Sequence, residues 1–269
     1  MQARHFNQEH YFKEQYITAK NYVLPFIQSH ITIDENTVMA EIGCGLGGNM
    51  LPFLEMRCKV WGIDMNPQAM EMAKEFYEKT PDMKPTLIVS DIYDVNLSDL
   101  PQFDLIVMRD VLEHIHDQEK FIAHLEKFIK PDGIVFIAFP PFSMPFGGHQ
   151  QMCVGKIMSK LPYYHLLPKA IYAGLLKLFG ETDRRIKGLL EIKETRLHLW
   201  KFHKIIKKSN FKIVKELLYL INPNYEVKFG LKPRKLPRFM NIPFLREFFI
   251  TTDYILLSKK MSGRDIVKK

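Results

Sequence analysis

Glu41-Ile42-Gly43-Cys44-Gly45-Leu46-Gly47-Gly48 is the segment of this chain with the clearest chemical meaning. Alternating glycines let a backbone approach a ligand without a clash from Cβ. Free N–H groups at the start of a following helix would face the same place. Two acids stand further along at the ends of apolar runs, Asp64 after 60–63 and Asp91 after 86–89. Acids at one edge of an α/β sheet stand where small ligands bind.

The elements that must position these groups read as an alternation. Apolar runs at 37–41, 60–64, 86–89, 103–108 and 134–139 are predicted strands, followed by 212–218 and 253–258. Predicted helices cover 11–27, 49–56, 67–79, 118–128 and 194–208. Pro67 suits a first helical turn. Lys130-Pro131-Asp132-Gly133 predicts a turn, and Pro140-Pro141 stops the fifth strand. The pattern predicts an α/β fold: a doubly wound, mostly parallel, seven-stranded Rossmann-like sheet whose carboxyl edge binds ligand. One domain is expected over 1–269. It carries an N-terminal helical cap at 1–30, an inserted lid or acceptor segment at 141–193 with a helix near 169–179, and a second, basic insertion at 222–250.

A glycine turn alone serves either a dinucleotide pyrophosphate or the amino-acid end of S-adenosylmethionine. The wider set of residues resembles one family. The 41–48 segment is similar to the first motif of class I S-adenosylmethionine-dependent methyltransferases, of the small-molecule, type 11 kind. So is Trp61-Gly62-Ile63-Asp64-Met65-Asn66-Pro67 to its second strand, and Asp91-Ile92 to its acidic turn. Phe103 to Ile115, containing Arg109-Asp110-Val111-Leu112-Glu113-His114, resembles the fourth-strand motif, and Lys130 to Ile134 the turn before strand five. The resemblance covers about 37–140 and implies S-adenosylmethionine as cofactor. It implies that Gly43, Gly45 and Gly47 bed the methionyl part and that Glu41 fixes that loop. Asp64 would hold the ribose hydroxyls, Met65 would pack beside adenine, and Asp91 and the Ile92 backbone would read the adenine edge. Arg109 would border the methionyl portion, though the family often has a small or amide residue there, and pairing with Asp104 or Asp110 is the structural alternative. Asp104 is read as structural, and His114 mainly as support for the turn.

A methyl group on a sulfonium is already activated, so an enzyme must chiefly align an acceptor and exclude water. An oxygen acceptor profits from a base. His149, in the Pro140-Pro141 to Gly147-Gly148-His149-Gln150 block, is the candidate, because neutral imidazole accepts a proton near pH 7. The two glycines are expected to give its loop freedom. Phe142, Phe146, Tyr163, Tyr164 and Tyr172 could wall an acceptor pocket, Tyr11 and Tyr16 could close the cofactor side, and His198 and Trp200 are placed on the packed face of the late helix, with core packing the default reading of these aromatics. Cys44, Cys58 and Cys153 form no metal-like cluster or disulfide framework. No metal-ligand set is evident, and Cys44 reads as a small filler.

Charge is unevenly spread. Residues 1–180 carry 16 Lys+Arg against 21 Asp+Glu, and residues 181–269 carry 22 against 9. The basic part could meet a phosphate-bearing or lipid-linked acceptor, an anionic membrane surface or nucleic acid. No Asn/Asp-Pro-Pro-Tyr/Phe-type motif follows strand four, which disfavours a nucleic-acid methyltransferase. The expected activity is methylation of a small-molecule, glycan or lipid-linked acceptor on oxygen, with ring-carbon or RNA methylation as alternatives. A non-catalytic binding protein that kept the cofactor fold is a further alternative. A cytoplasmic location is expected, peripheral at the inner face of the membrane if the basic and apolar segments touch lipid, with a monomer or homodimer as the assembly. No apolar run reaches the 18 residues or more of a spanning helix, and residues 1–15 are too polar for a signal peptide.

Overall fold

The computed structural model describes residues 8–80 and 83–260. Five apolar runs form parallel strands: β1 (Val38–Ile42), β2 (Lys59–Asp64), β3 (Thr86–Val89), β4 (Phe103–Arg109) and β5 (Ile129–Phe139). The interior positions of β1, of β4 beyond Asp104 and of residues 134–139 in β5 are buried on both faces, which is why they read as continuous apolar runs rather than alternations, while the edge strand β3 is only half-buried. Three further strands complete the sheet: β6 (Phe211–Ile221), β7 (Arg234–Lys235) and β8 (Thr252–Lys259). The order is β3-β2-β1-β4-β5-β8-β6-β7, with β8 antiparallel to both β5 and β6. The doubly wound sheet matches expectation. The eighth strand is the two-residue β7, an edge piece too short to give a strand signal in sequence.

The helices lie on both faces. The first face carries α1 (Gln8–Thr18), α2 (Leu24–Gln28), α3 (Leu51–Glu55) and α4 (Pro67–Glu78), and α1 joins α2 through a π-helical turn, Ala19–Val23. Phe26 of α2 packs edge-on against Phe136 and Tyr254, with ring centroids 6.0 and 5.7 Å apart. Truncating such a buried aromatic costs roughly 3–5 kcal/mol. Asn66 caps α4, its side chain accepting from the amides of Gln68 and Ala69, with Pro67 at the first helical position. The opposite face carries α5 (Gln118–Leu125) and α8 (Leu199–Lys208) around Phe121, Phe139 and Phe202.

Two boundaries depart from the sequence reading. The segment 130–133 belongs to β5, where the pairing with β4 jumps from Phe103↔Ile129 to Leu105↔Ile134. The single helix expected over 194–208 is two, α7 (Asp183–Thr195) and α8, because Arg196 takes a left-handed φ of 41° and ends the first. His198 therefore stands at the start of α8 rather than inside it, and Trp200 is exposed. Asp104 is structural, as expected. It accepts from the Val38 amide at 2.9 Å and pairs with Lys130 at 2.7 Å, tying three strands at the amino edge of the sheet.

The insertion after β5 holds α6 (Lys169–Leu178) and α7 around its own small core of Cys153, Met158, Tyr164, Tyr172, Leu176, Ile186 and Leu189. The second insertion holds α9 (Asn224–Phe229) and β7. Buried Glu247 ties the second insertion to the start of α8: it accepts from the Trp200 amide at 3.1 Å and lies 3.2 Å from His198 Nδ1.

Candidate active site

The glycine turn leaves β1 with Gly43, Gly45 and Gly47 all at positive φ (74°, 52° and 82°). A Cβ on Gly43 would stand 2.4 Å from Val111 Cγ2, so position 43 requires glycine on two counts. The turn is bonded inward. The Gly43 amide donates to the Ile63 carbonyl at 2.8 Å, and Tyr77 Oη donates to the Gly47 carbonyl at 2.6 Å. Cys44 is buried beside Met70, and burial pushes its thiol pKa well up, which suits a filler and not a nucleophile.

Asp64 ends β2. One of its oxygens accepts from the Gly45 amide and the other from the Asn66 amide, each at 2.8 Å. A carboxylate offers about four acceptor sites. Two backbone bonds therefore fix its orientation and leave capacity for a diol. Asp64 lines a cavity of about 520 Å³ together with Gly43, Met65, Asp91, Ile92 and Val111. Five of the expected cofactor residues meet there. Met65 is exposed on the rim, not part of the core. Asp91 orients its own turn by accepting from the Tyr93 amide at 3.0 Å.

Glu41 and Arg109, like Gly45 and Gly47, do not line this cavity. Both are buried, and both bind Asn49. Asn49 Nδ2 donates to Glu41 at 2.7 Å, and Arg109 Nη1 donates to Asn49 Oδ1 at 2.9 Å. Burial pushes the Glu41 carboxyl up to about 8 against the Asn49 hydrogen bond and the Arg109 charge, and its second oxygen has no hydrogen-bond partner. Arg109 Nε lies 3.7 Å from Asp110, while Asp104 is engaged at the far end of the strand. Asn49 is the linking residue that sequence reasoning missed.

Past β4 the backbone turns sharply, with Asp110 at a φ of 58° and its amide held by the Ala138 carbonyl at 2.9 Å. Asp110 and His114 line this first cavity and also a second cavity of about 320 Å³ with Tyr11, Glu113, His149, Tyr225 and Thr251. His114 and His149 continue into a third, of about 630 Å³, under α7. The two rings meet edge-on with centroids 5.2 Å apart. Burial, reinforced by His114, His165 and Lys228, lowers the His149 imidazole to about 3, and burial lowers that of His114. Both rings are therefore neutral at pH 7. Glu113 is buried with neither carboxylate oxygen hydrogen-bonded, and burial together with Asp110 raises its pKa well above the ordinary range. Ligand atoms of Glu113, His114 and His149 lie within 4.8 Å of one another, a spacing able to hold a cation. Sequence reading missed this set because His149 lies 35 positions from His114 in the chain. The signal available was Asp110, Glu113 and His114 crowded just past a strand end.

The loop carrying His149 is packed rather than free. A Cβ on Gly147 would meet the Phe142 carbonyl oxygen at 2.2 Å, and one on Gly148 the His165 Cβ at 2.4 Å. Gln150 Nε2 donates to the Pro145 carbonyl at 2.9 Å and meets His165 Nδ1 at 3.0 Å. His165 Nε2 donates to the Phe142 carbonyl at 2.7 Å. The glycines thus permit close approach, not mobility. Of the aromatics expected to wall the acceptor pocket, Phe142, Tyr164 and Tyr172 are buried packing residues of the insertion and its loop, and Tyr163 donates to the Phe248 carbonyl. None of the five, Phe146 included, lines the cavities around His149. Tyr11 borders the second cavity, and Tyr16 Oη donates to Glu55 instead.

The sheet order, the glycine turn and the acids at the carboxyl edge are similar in arrangement to those of class I S-adenosylmethionine-dependent methyltransferases. Residues 40–137 match the family model described as a methyltransferase domain. Over 104 residues the chain is 34% identical to the ubiquinone biosynthesis O-methyltransferase of Pelagibacter ubique, a match covering 39% of this chain and 42% of that protein. Over 149 residues it is 27% identical to the enzyme of the same name from Coxiella burnetii, covering 55% and 60%. The chain thus spans about half the length of the curated relatives it matches. Among solved structures, magnesium protoporphyrin IX methyltransferase from Synechocystis with bound SAH aligns over 92% of this chain and 83% of that one, with a TM-score of 0.55 and 13% identity. PKMT2 from Rickettsia typhi in complex with AdoHcy aligns over 91% and 54%, with a TM-score of 0.56 and 18% identity. At these identities the structural likeness is one of fold. Among the described residues, no helix is long and apolar enough to cross a membrane.

Proposed function

We propose that this protein transfers a methyl group from S-adenosylmethionine to an oxygen of a small-molecule acceptor. One observation carries the reading: a cavity of cofactor size, floored by Gly43 and edged by Asp64 and Asp91, adjoins a second cavity across Asp110 and His114. In this reading Asp64 holds the ribose diol and Asp91 the adenine edge. The glycine turn beds the methionyl part above the buried Glu41-Asn49-Arg109 relay. The acceptor enters from the side of His149 and presents its oxygen in line with the sulfonium carbon. The packed His149 loop and Tyr11 limit water there. Neutral His149 is the proton acceptor; lowered to about 3 it is a weak base, so it takes the proton only as the methyl group arrives and makes the acceptor oxygen strongly acidic. The similarity to ubiquinone biosynthesis O-methyltransferases supports oxygen as the accepting atom.

A second reading is favoured by the unpartnered Glu113. There Glu113, His114 and His149 would together hold a divalent cation, which would supply Lewis acidity toward the acceptor hydroxyl. Incubating the protein with methyl-labelled S-adenosylmethionine and a panel of phenols and catechols tests the proposal. Expected are an O-methyl product and loss of turnover in His149→Ala with affinity for S-adenosylhomocysteine kept within about twofold. Normal turnover in His149→Ala contradicts the base role. Loss of turnover in a chelator, restored by magnesium or zinc, selects the second reading over the first.

A further inference from the structure

The two insertions expose apolar side chains that the fold does not use. Ile157, Leu161 and Leu167 in the first, and Phe239, Phe244 and Leu245 in the second, are all exposed, Phe239 at 79% and Phe244 at 68%. The two insertions touch at Tyr163, whose Oη donates to the Phe248 carbonyl at 2.9 Å and whose ring lies 6.4 Å from that of Phe248. Two backbone outliers flank the junction: Tyr163 at a φ of 63° and Phe244 at 65°. Bulky residues rarely adopt this region. Phe244 thus bears backbone strain while its ring gains little burial within the chain, which points to a gain made outside it.

Charge selects the partner. From Gly133 to Gly180 the chain has no Asp or Glu and four lysines, Lys156, Lys160, Lys169 and Lys177. From Val227 to Arg246 it again has no acid and six basic residues. Apolar side chains and basic residues share the same segments, and Lys160, Arg234, Lys235 and Arg238 are exposed. We propose that this face docks on an anionic lipid surface, its apolar side chains entering the boundary of the acyl chains while the cations meet the headgroups. A symmetric contact with a second copy would set like charges against each other. Nucleic acid would meet the cations but leave the aliphatic side chains in water. Met152, which lines both cavities around His149, is an exposed neighbour of this segment. If the proposed function is correct, docking would bring the acceptor entrance close to the lipid, but the docking itself requires no methyl transfer.

Sedimentation of the full chain with phosphatidylcholine vesicles, with and without half phosphatidylglycerol, tests this directly. Binding is expected only with the anionic lipid. It should weaken at least about tenfold in the double variant Ile157→Ser, Phe244→Gly, given the worth of a large buried side chain. The glycine takes the left-handed backbone without strain, so this variant should fold, as checked by circular dichroism and by unchanged S-adenosylhomocysteine binding. Each basic residue removed should cost about fivefold, read with Lys232→Gln and Lys235→Gln. Absence of vesicle binding overturns the proposal. So does binding that is insensitive to the apolar substitutions, preferential binding of a generic RNA over vesicles, or self-association that the double variant abolishes.

Discussion

The two halves of the carboxyl edge are built differently. On the cofactor side, backbone does most of the work: three glycines at positive φ, and two main-chain amides that fix Asp64. On the acceptor side, side chains from distant segments converge. His114 follows β4, His149 lies in a loop after β5, Tyr11 belongs to α1, and Tyr225 to α9. The first kind of site is set by a short run of residues and tolerates change around it. The second depends on the packing of insertions, so its specificity can change while the sheet stays the same.

The comparison is sharpest where a substitution should hurt one half and spare the other. The largest effect is expected for Asp64→Ala. Losing hydrogen bonds from a charged group to a diol should weaken S-adenosylhomocysteine binding about 100-fold, read by titration calorimetry. Next, Gly43→Ala should destabilise the fold by about 1–3 kcal/mol in urea denaturation, since it combines a positive φ with a 2.4 Å approach to Val111. A Val111→Ala partner should recover part of the loss. On the other side, Gln150→Ala frees His165 and the Pro145 carbonyl. It should cost about 1–2 kcal/mol and reduce turnover more than cofactor affinity. An equal loss of both would show that the two halves are not separable.

The smallest effect concerns His149. Its ring is held neutral down to about pH 3, so proton NMR should show no titration midpoint for it between pH 5 and 8. The sign for stability follows. A depressed histidine refuses the proton that the unfolded chain takes up below about pH 6.5, so stability is lost as pH falls from there toward 3. His149→Asn should flatten that acid limb. A midpoint near 6.5 would mean that the loop opens to solvent.

Much of the cavity proposed for the cofactor was legible in the sequence, because strand ends and glycine turns are local. Asp64 and Asp91 are where apolar runs stop, and the structure gathers them with Gly43, Met65 and Ile92 around one cavity. The Glu41-Asn49-Arg109 relay was only half visible, because nothing local marks an asparagine as the bridge between two charges. The acceptor side was legible only as a pair of insertions. Tyr164 and Tyr172 turned out to be packing residues because the first insertion needs a core of its own. The left-handed Arg196 that splits α7 from α8 has no sequence signature, since arginine rarely takes that conformation. The Glu113-His114-His149 cluster required the fold to bring its members together.

A crystal structure of the protein with S-adenosylhomocysteine tests the central claim most directly. The account predicts both ribose hydroxyls within hydrogen-bond distance of the Asp64 carboxylate, adenine between Met65 and Ile92, and the sulfur facing the cavity of His114 and His149. A nucleoside bound elsewhere, or a sulfur directed away from that cavity, would contradict it.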